Sequence, residues 1–301
     1  MQAEPKTFLA IVLGLFVVGG MGIALAELFA TRKVTEIWRI YRVQLVVTAW
    51  MVVPAWLGGP WFAGAILVMA AVSSWEVFDV LVRMKLHPLR RLGVAASVGY
   101  CVLGLAGRPD WLAAAPIVMA VGLLSAPVLG VVALEGAFAS AAATLLGTLY
   151  PGLFLSFAAR LGDLGNRFGD FVYLYTVLEL NDACAFLFGK YLGRRRLAPT
   201  LSPNKTRGGS IGGLCCAVAG GAGLAPILIG LGPVHGAVIG AALGVTGQVA
   251  DLAASAIKRQ AGVKDYSNLV PTQGGLLDLY DSFIFAAPLW FIYLSCTRGA
   301  P

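Results

Sequence analysis

The chain has 301 residues, 58% of them hydrophobic and 12% charged, with a mean hydropathy of +0.82 and a formal net charge of +7. That balance lies far outside the range of soluble domains and reads as an integral membrane protein of all-α class. Five cysteines without a CxxC pair indicate neither a disulfide framework nor a zinc site, and nothing in the charge pattern suggests a nucleic-acid partner.

Apolar runs of about 20 residues, the length that carries a helix across the hydrocarbon core, recur along the chain. They predict crossings near residues 7–27, 43–58, 60–80, 92–107, 111–126, 128–158 in one or two passes, 170–191, 209–231, 233–256 and 281–297. Nine or ten transmembrane helices are therefore expected. The first run reads as a retained helix rather than a signal peptide, because Arg32 and Lys33 follow it as a stop-transfer flank. Residues 1–30 then form an extra N-terminal helix, 31–169 an N-terminal membrane region and 170–301 a C-terminal catalytic region. Basic residues concentrate in four connections, around Arg32 to Arg42, Arg83 to Arg91, Lys190 to Arg207, and Lys258 to Lys264. The positive-inside rule turns these loops toward the cytoplasm. The glycine-rich stretches at 212–232 and 236–248 read as surfaces for close helix packing. His87 and His235 read as structural.

Three charged groups are not explained by topology. Glu179, Asn181 and Asp182 interrupt an apolar span, where ionised groups are costly unless they face a partner or water. Asp251, Ser255 and Lys258 are spaced i, i+4 and i+7 on one helical face, and Asp278 and Asp281 are spaced i, i+3. Carboxylates converging at the end of a span suit magnesium, which takes its remaining ligands from water and substrate phosphates, while neighbouring lysines and arginines clamp phosphate oxygens. The same charges could instead form buried ion pairs or line the ion path of a transporter.

The stretch SAIKRQAGVKDYSNLVPTQGGLLDLYDS, residues 255–282, resembles the signature of the phosphatidate cytidylyltransferases, or CDP-diacylglycerol synthases. That signature runs S-x-x-K-R, four residues, K-D, and after a short spacer P-G-H-G-G-x-x-D-R-x-D. Ser255, Lys258, Arg259, Lys264, Asp265, Pro271, Gly274, Gly275, Asp278 and Asp281 fall on it without a gap. LSPNKTRGG is similar to the family's serine-proline loop, keeping Ser202, Pro203, Lys205 and Thr206, and ADLAAS is similar to its G-D-L-x-E-S, keeping Asp251. The resemblance is sharp over residues 178–290 and faint before them, where SSWEVFDVL matches only loosely.

The resemblance implies transfer of a cytidylyl group from CTP to phosphatidate, giving CDP-diacylglycerol and pyrophosphate. It implies a magnesium site at Asp251, Asp278 and Asp281, with a second cation such as K+ as a further cofactor. Lys258, Arg259, Lys264 and Asp265 would be catalytic, the three cations binding triphosphate or lipid phosphate and Asp265 lying near the magnesium site. Ser202, Lys205, Thr206, Ser255, Gln273, Gly274, Gly275 and Asp182 would bind substrate. It also implies a homodimer in a bacterial inner membrane with its site facing the cytoplasm. Four departures stand out: Gln273 replaces the signature's histidine, Leu279 its arginine, Ala254 an acidic residue, and a glycine the acid of the serine-proline loop. They leave room for a divergent paralogue with another lipid acceptor.

Overall fold

The computed structural model describes residues 35–130, 133–271 and 273–298. Helices α1 (Thr35–Leu57), α2 (Gly59–Arg83), α3 (Arg90–Leu105) and α4 (Pro109–Ser125) come first. Helix α5 (Ala137–Thr148) continues through a π turn at Leu149–Leu153 into α6 (Phe154–Ala159) and a 3-10 turn at Arg160–Leu164. Then follow α7 (Arg167–Leu192), an antiparallel hairpin of β1 (Arg196–Ala198) and β2 (Ser202–Thr206), α8 (Arg207–Leu228), α9 (Pro233–Gln260) and α10 (Leu276–Arg298). The chain is all-α apart from this hairpin among the described residues.

Six helical stretches are long and apolar enough to cross a bilayer: Gly59–Arg83, Ala137–Leu164, Arg167–Leu192, Arg207–Leu228, Pro233–Gln260 and Leu276–Arg298. The expected nine or ten crossings are not confirmed by this set of candidates among the described residues. The apolar part of α1, Tyr41–Leu57, and helix α4 fall short of the roughly 20 residues a crossing needs, and α3 has 16. The run at 128–158 gives one bent helix, not two, because the π turn around Pro151 absorbs the missing N–H without ending the helix. The expected first crossing lies outside the described residues. Apolar side chains such as Ile117, Phe138, Val238 and Val245 are exposed on the flanks, as lipid-facing positions would be.

Helices α7, α8 and α9 pack through small residues. Gly221 of α8 and Gly236 of α9 each lie so close to the other helix that an added Cβ would meet the opposing carbonyl oxygen. The glycine-rich stretches are thus packing surfaces, as their composition predicts. At one end of the bundle Arg298 donates to both oxygens of Asp170, at 2.6 and 2.9 Å, tying the end of α10 to the start of α7. Those helices are antiparallel, so the start of α10 lies at the other end with the end of α7, the hairpin, the start of α8 and the end of α9. Arg83, Lys190, Lys205, Arg207, Lys258 and Lys264 belong to the elements that meet there.

The start of α10 is held by a residue 200 positions away. Glu76, on α2 and 4% exposed, accepts the Leu276 N–H at 3.0 Å, the Leu277 N–H at 2.7 Å and the Ser267 hydroxyl at 2.6 Å. A carboxylate at a helix N-terminus satisfies amides that the helix itself cannot, and it complements the helix dipole. Gly275 lies directly against this carboxylate, where a Cβ would come within 2.6 Å of Oε1. Removing the acceptor strands buried donors, so Glu76→Ala is expected to cost about 1 to 3 kcal/mol. Thermal unfolding in detergent checks this, with Glu76→Gln recovering only part of the loss.

Candidate active site

Four chain segments converge at the end where α10 begins, and each brings a charge. Lys258, from the last turn of α9, donates to Asp278 Oδ1 in the first turn of α10 at 2.5 Å, with both side chains at most 10% exposed. The second oxygen of Asp278 accepts the Tyr266 N–H at 2.7 Å and the Gly275 N–H at 2.8 Å. The Lys258 ammonium also lies 5.2 Å from the Tyr266 ring centre. Gly274 makes this fold possible: its φ is +100°, open to glycine, and a Cβ there would strike the Asp278 carboxylate. The Tyr266 hydroxyl points to the Ala254 carbonyl at 3.5 Å. Burial, with the charges of Asp281, Asp278 and Glu76 adding to it, holds that phenol well above its ordinary range, so it stays protonated.

A second pair lies beside a cavity of about 410 Å³. Lys205, from β2, donates to Asp251 on α9, and both line the cavity together with Asp182, Thr206, Ser210 and Gln248. These two side chains are 28% and 32% exposed, so the pair is open to a ligand in a way that the buried pair is not. Asp182 accepts the Asn181 amide at 2.8 Å. Asn181 in turn accepts from Gln248 at 3.0 Å, and Gln248 takes the Ser210 hydroxyl. This chain of amides fixes α7, α8 and α9 around the cavity. Thr206 caps α8 by accepting the Gly209 N–H at 3.1 Å. Asp281 is buried, accepts the Ser282 N–H at 2.5 Å, and lies in the fields of Asp251, Lys258 and Asp182.

Asp251, Asp278 and Asp281, expected to share one ion, are each engaged by the protein's own groups. Among the described residues no group of three or more acidic, histidine or cysteine side chains is placed to hold a metal. The physical reason is the pairing: Asp278 is committed to Lys258 and two backbone amides, and Asp251 is drawn to Lys205.

Of the other residues singled out, Ser255 is buried on α9 beside the Lys258 turn. Arg259 donates to the Leu201 carbonyl at 3.1 Å and the Val263 carbonyl at 3.0 Å, which tethers the hairpin to α9 rather than facing the carboxylates. Ser202 sits in the hairpin opposite Ala198, outside the cavity lining. Lys264 is exposed and makes no ion pair among the described residues, and Asp265 lies beside Gly274. Gln273 turns its amide oxygen inward, without a hydrogen-bond partner among the described residues. Sequence reasoning missed Glu76 and Gln248. Gln248 could have been found from its place one turn before Asp251, whereas Glu76 carried only the loose SSWEVFDVL signal.

Comparison with known proteins shows the family. The chain is 39% identical over 148 residues to a phosphatidate cytidylyltransferase of Brucella suis biovar 1 (strain 1330), covering 49% of this chain and 55% of that protein. It is 36% identical over 163 residues to a phosphatidate cytidylyltransferase of Staphylococcus aureus (strain COL), covering 52% and 60%. It is also 39% identical over 123 residues to the uncharacterized protein YnbB of Escherichia coli (strain K12), covering 41% of each. The matched stretch thus spans about half the length of these curated relatives. Residues 37–297, which run from α1 through nearly all of α10, match the cytidylyltransferase family across the chain, and to that family the chain belongs.

Proposed function

We propose that this chain joins CTP to phosphatidate, giving CDP-diacylglycerol and pyrophosphate, at the end of the bundle where α10 begins. The observation that carries this reading is the pair of lysine–aspartate contacts, Lys205–Asp251 and Lys258–Asp278, that three separate segments, β2, α9 and α10, bring to one polar end of an apolar bundle. The curated relatives named phosphatidate cytidylyltransferase support the same substrates.

In this reaction a phosphate oxygen of the lipid attacks the α-phosphorus of CTP. A new P–O bond forms as the bond to the bridging oxygen breaks, and pyrophosphate leaves with the electron pair. Both reactants are anions, so the task of the protein is to cancel their repulsion and align them. The cavity beside Lys205 offers room for the nucleotide, with Thr206 and Ser210 as hydroxyl groups on its wall. A triphosphate oxygen arriving there competes with Asp251 for the Lys205 ammonium. Lys258 stays fixed by Asp278 and presents a charge that does not need to reorganise. Lys264, exposed and without an ion-pair partner among the described residues, is available to the outer phosphates.

Magnesium would be held by Asp251 and Asp281, with Asp182 near. Two carboxylates plus substrate oxygens make an ordinary site for this ion, and their mutual repulsion here fits a divalent partner. When bound it supplies charge neutralisation at the reacting phosphates. The clustering of Lys190, Lys205, Arg207, Lys258 and Lys264 on elements of this end supports a cytoplasmic orientation. The bacterial origin of the matched relatives, with the apolar helices, supports a bacterial inner membrane as the location. Every residue invoked lies on one chain, so a homodimer would carry two complete sites.

Protein purified in nanodiscs and given CTP, phosphatidate and magnesium should release pyrophosphate and CDP-diacylglycerol in equal amounts, and chelating the metal should stop both. No nucleotide turnover with this acceptor would end the proposal. Lys205→Ala is expected to lower kcat/KM by roughly 10²- to 10³-fold, as loss of one positioned charge does, while thermal stability changes little because the pair is partly exposed. Asp278→Asn should behave differently. It leaves Lys258 buried beside a neutral amide, so stability falls by about 3 to 5 kcal/mol along with activity, and thermal scans beside turnover assays separate the two effects.

A further inference from the structure

A second cavity, of about 690 Å³, opens between α1, α2 and the loop that leads into α10. Among its thirteen lining residues Arg42 alone is charged, and its walls include Val46 and Trp50 of α1, Val72 of α2, and Leu276 and Leu279 of α10. Tyr280, also in the lining, spends its hydroxyl on the Val47 carbonyl at 3.0 Å. Arg42 is exposed and makes no ion pair among the described residues. A cavity with greasy walls and one unmatched cation at its rim has the polarity of a single ligand type, an apolar tail with an anionic head.

The cavity also points the right way. Gln44 donates to Glu179 at 2.8 Å, and Thr48 meets the Tyr175 hydroxyl at 3.1 Å, so moving forward along α1 means moving backward along α7. The start of α1 therefore lies at the same end as the close of α7 and the catalytic lysines. Arg42 stands toward that end, and Trp50, eight residues on, lies about 12 Å deeper at 1.5 Å per residue. On α10, Leu276, Leu279 and Tyr280 fall on one side of the helix, and Asp278 and Asp281 on the other, at 100° per residue. One helix thus separates the charged site from the apolar cavity. Leu279 stands where the family signature has an arginine, and here the cation of this cavity comes from α1 instead.

We infer that this cavity is the berth of the lipid acceptor: an acyl chain lies along Val46, Trp50 and Val72, and Arg42 holds the lipid's phosphate before it passes over the start of α10 to the nucleotide. The inference rests on the proposed function for the identity of the lipid. An anionic head on an apolar tail is what the cavity's one charge and its apolar walls suit, and the phosphate monoester on a diacyl tail follows from that function. Arg42 is a specificity-determining residue, and Leu279 keeps the inner face of the berth apolar.

The test uses nanodiscs of phosphatidylcholine that contain a trace of phosphatidate with a photoreactive acyl chain, and a parallel set in which the photoreactive lipid is phosphatidylcholine. Crosslinked peptides are mapped by mass spectrometry. The expected result is labelling of α1 and α2 around Trp50 and Val72 by the phosphatidate probe several-fold above the phosphatidylcholine probe. Arg42→Ala should bring the two to the same level and raise the KM for phosphatidate about tenfold with the KM for CTP unchanged, whereas Arg42→Lys should retain most of the preference. Leu279→Trp, which fills the cavity, should remove labelling by both probes. Equal labelling by the two lipids in the wild-type protein, or labels that map elsewhere, would overturn the berth and mark the cavity as ordinary bilayer contact. Selective labelling without any CTP turnover would instead keep the lipid site and refute the reaction, so the two failures read differently.

Discussion

The ion pair between Lys258 and Asp278 is the contact on which the polar end of this bundle depends. Two charges taken out of water lose several kcal/mol of hydration each, and mutual attraction recovers it only if their remaining hydrogen-bonding capacity is also met. Here it is met by the backbone. Asp278 takes two amide protons from the loop that leads into its own helix, and Glu76 takes two more from the helix start. The loop at residues 261–275 is therefore fixed from both sides by carboxylates, without regular secondary structure of its own. The glycines at 274 and 275 follow from that crowding, since one needs a positive φ and the other leaves no space for a Cβ.

The second pair obeys a different rule. Lys205 and Asp251 are each about one-third exposed, so water screens their attraction and little is lost when a ligand takes the place of either partner. One pair is thus suited to building the site and the other to yielding to a substrate. A rigid cation beside an exchangeable one is what a reaction between two anions requires. The first lowers the potential of the whole end of the bundle, and the second is free to follow the phosphate that approaches it.

Much of this was legible in the sequence because it is local. The i, i+4, i+7 spacing of Asp251, Ser255 and Lys258 and the i, i+3 spacing of Asp278 and Asp281 survive directly as faces of α9 and α10. The glycine stripes became helix contacts for the same reason. What was not legible is which opposite charges choose each other. Sequence spacing groups acids with acids, as in the expected trio of Asp251, Asp278 and Asp281, and does not reveal that Asp251 and Asp278 each take a lysine, one from β2 and one from the end of α9. Glu76 lies 200 residues before the amides it binds, with no periodicity to announce it. The helix count is less directly legible, because hydropathy measures apolar character and not length, and α3 and α4 are apolar but only 16 and 17 residues long.

The departures from the family signature become intelligible once charges are counted at this end. Ala254, where an acid would be expected, is buried and gives its carbonyl to the Tyr266 hydroxyl, so a carboxylate there would be enclosed beside Asp251 and Asp278 with no further base to meet it. Gly209 faces the Ala185 carbonyl oxygen, which a Cβ would approach to 2.5 Å, so α8 lies against α7 with no room for a longer side chain. Leu279 removes a cation from the side of α10 that faces the apolar cavity. Two acids and one base are lost together. What survives is a set in which Lys205 pairs with Asp251 and Lys258 with Asp278, while Asp281, Asp182 and Lys264 make no ion pair among the described residues. On the proposed reading these groups have partners that arrive from outside: a divalent cation held by Asp281 together with Asp251, with Asp182 near, and a polyphosphate for the lysine. A site that balanced its charges completely would have no electrostatic reason to bind either.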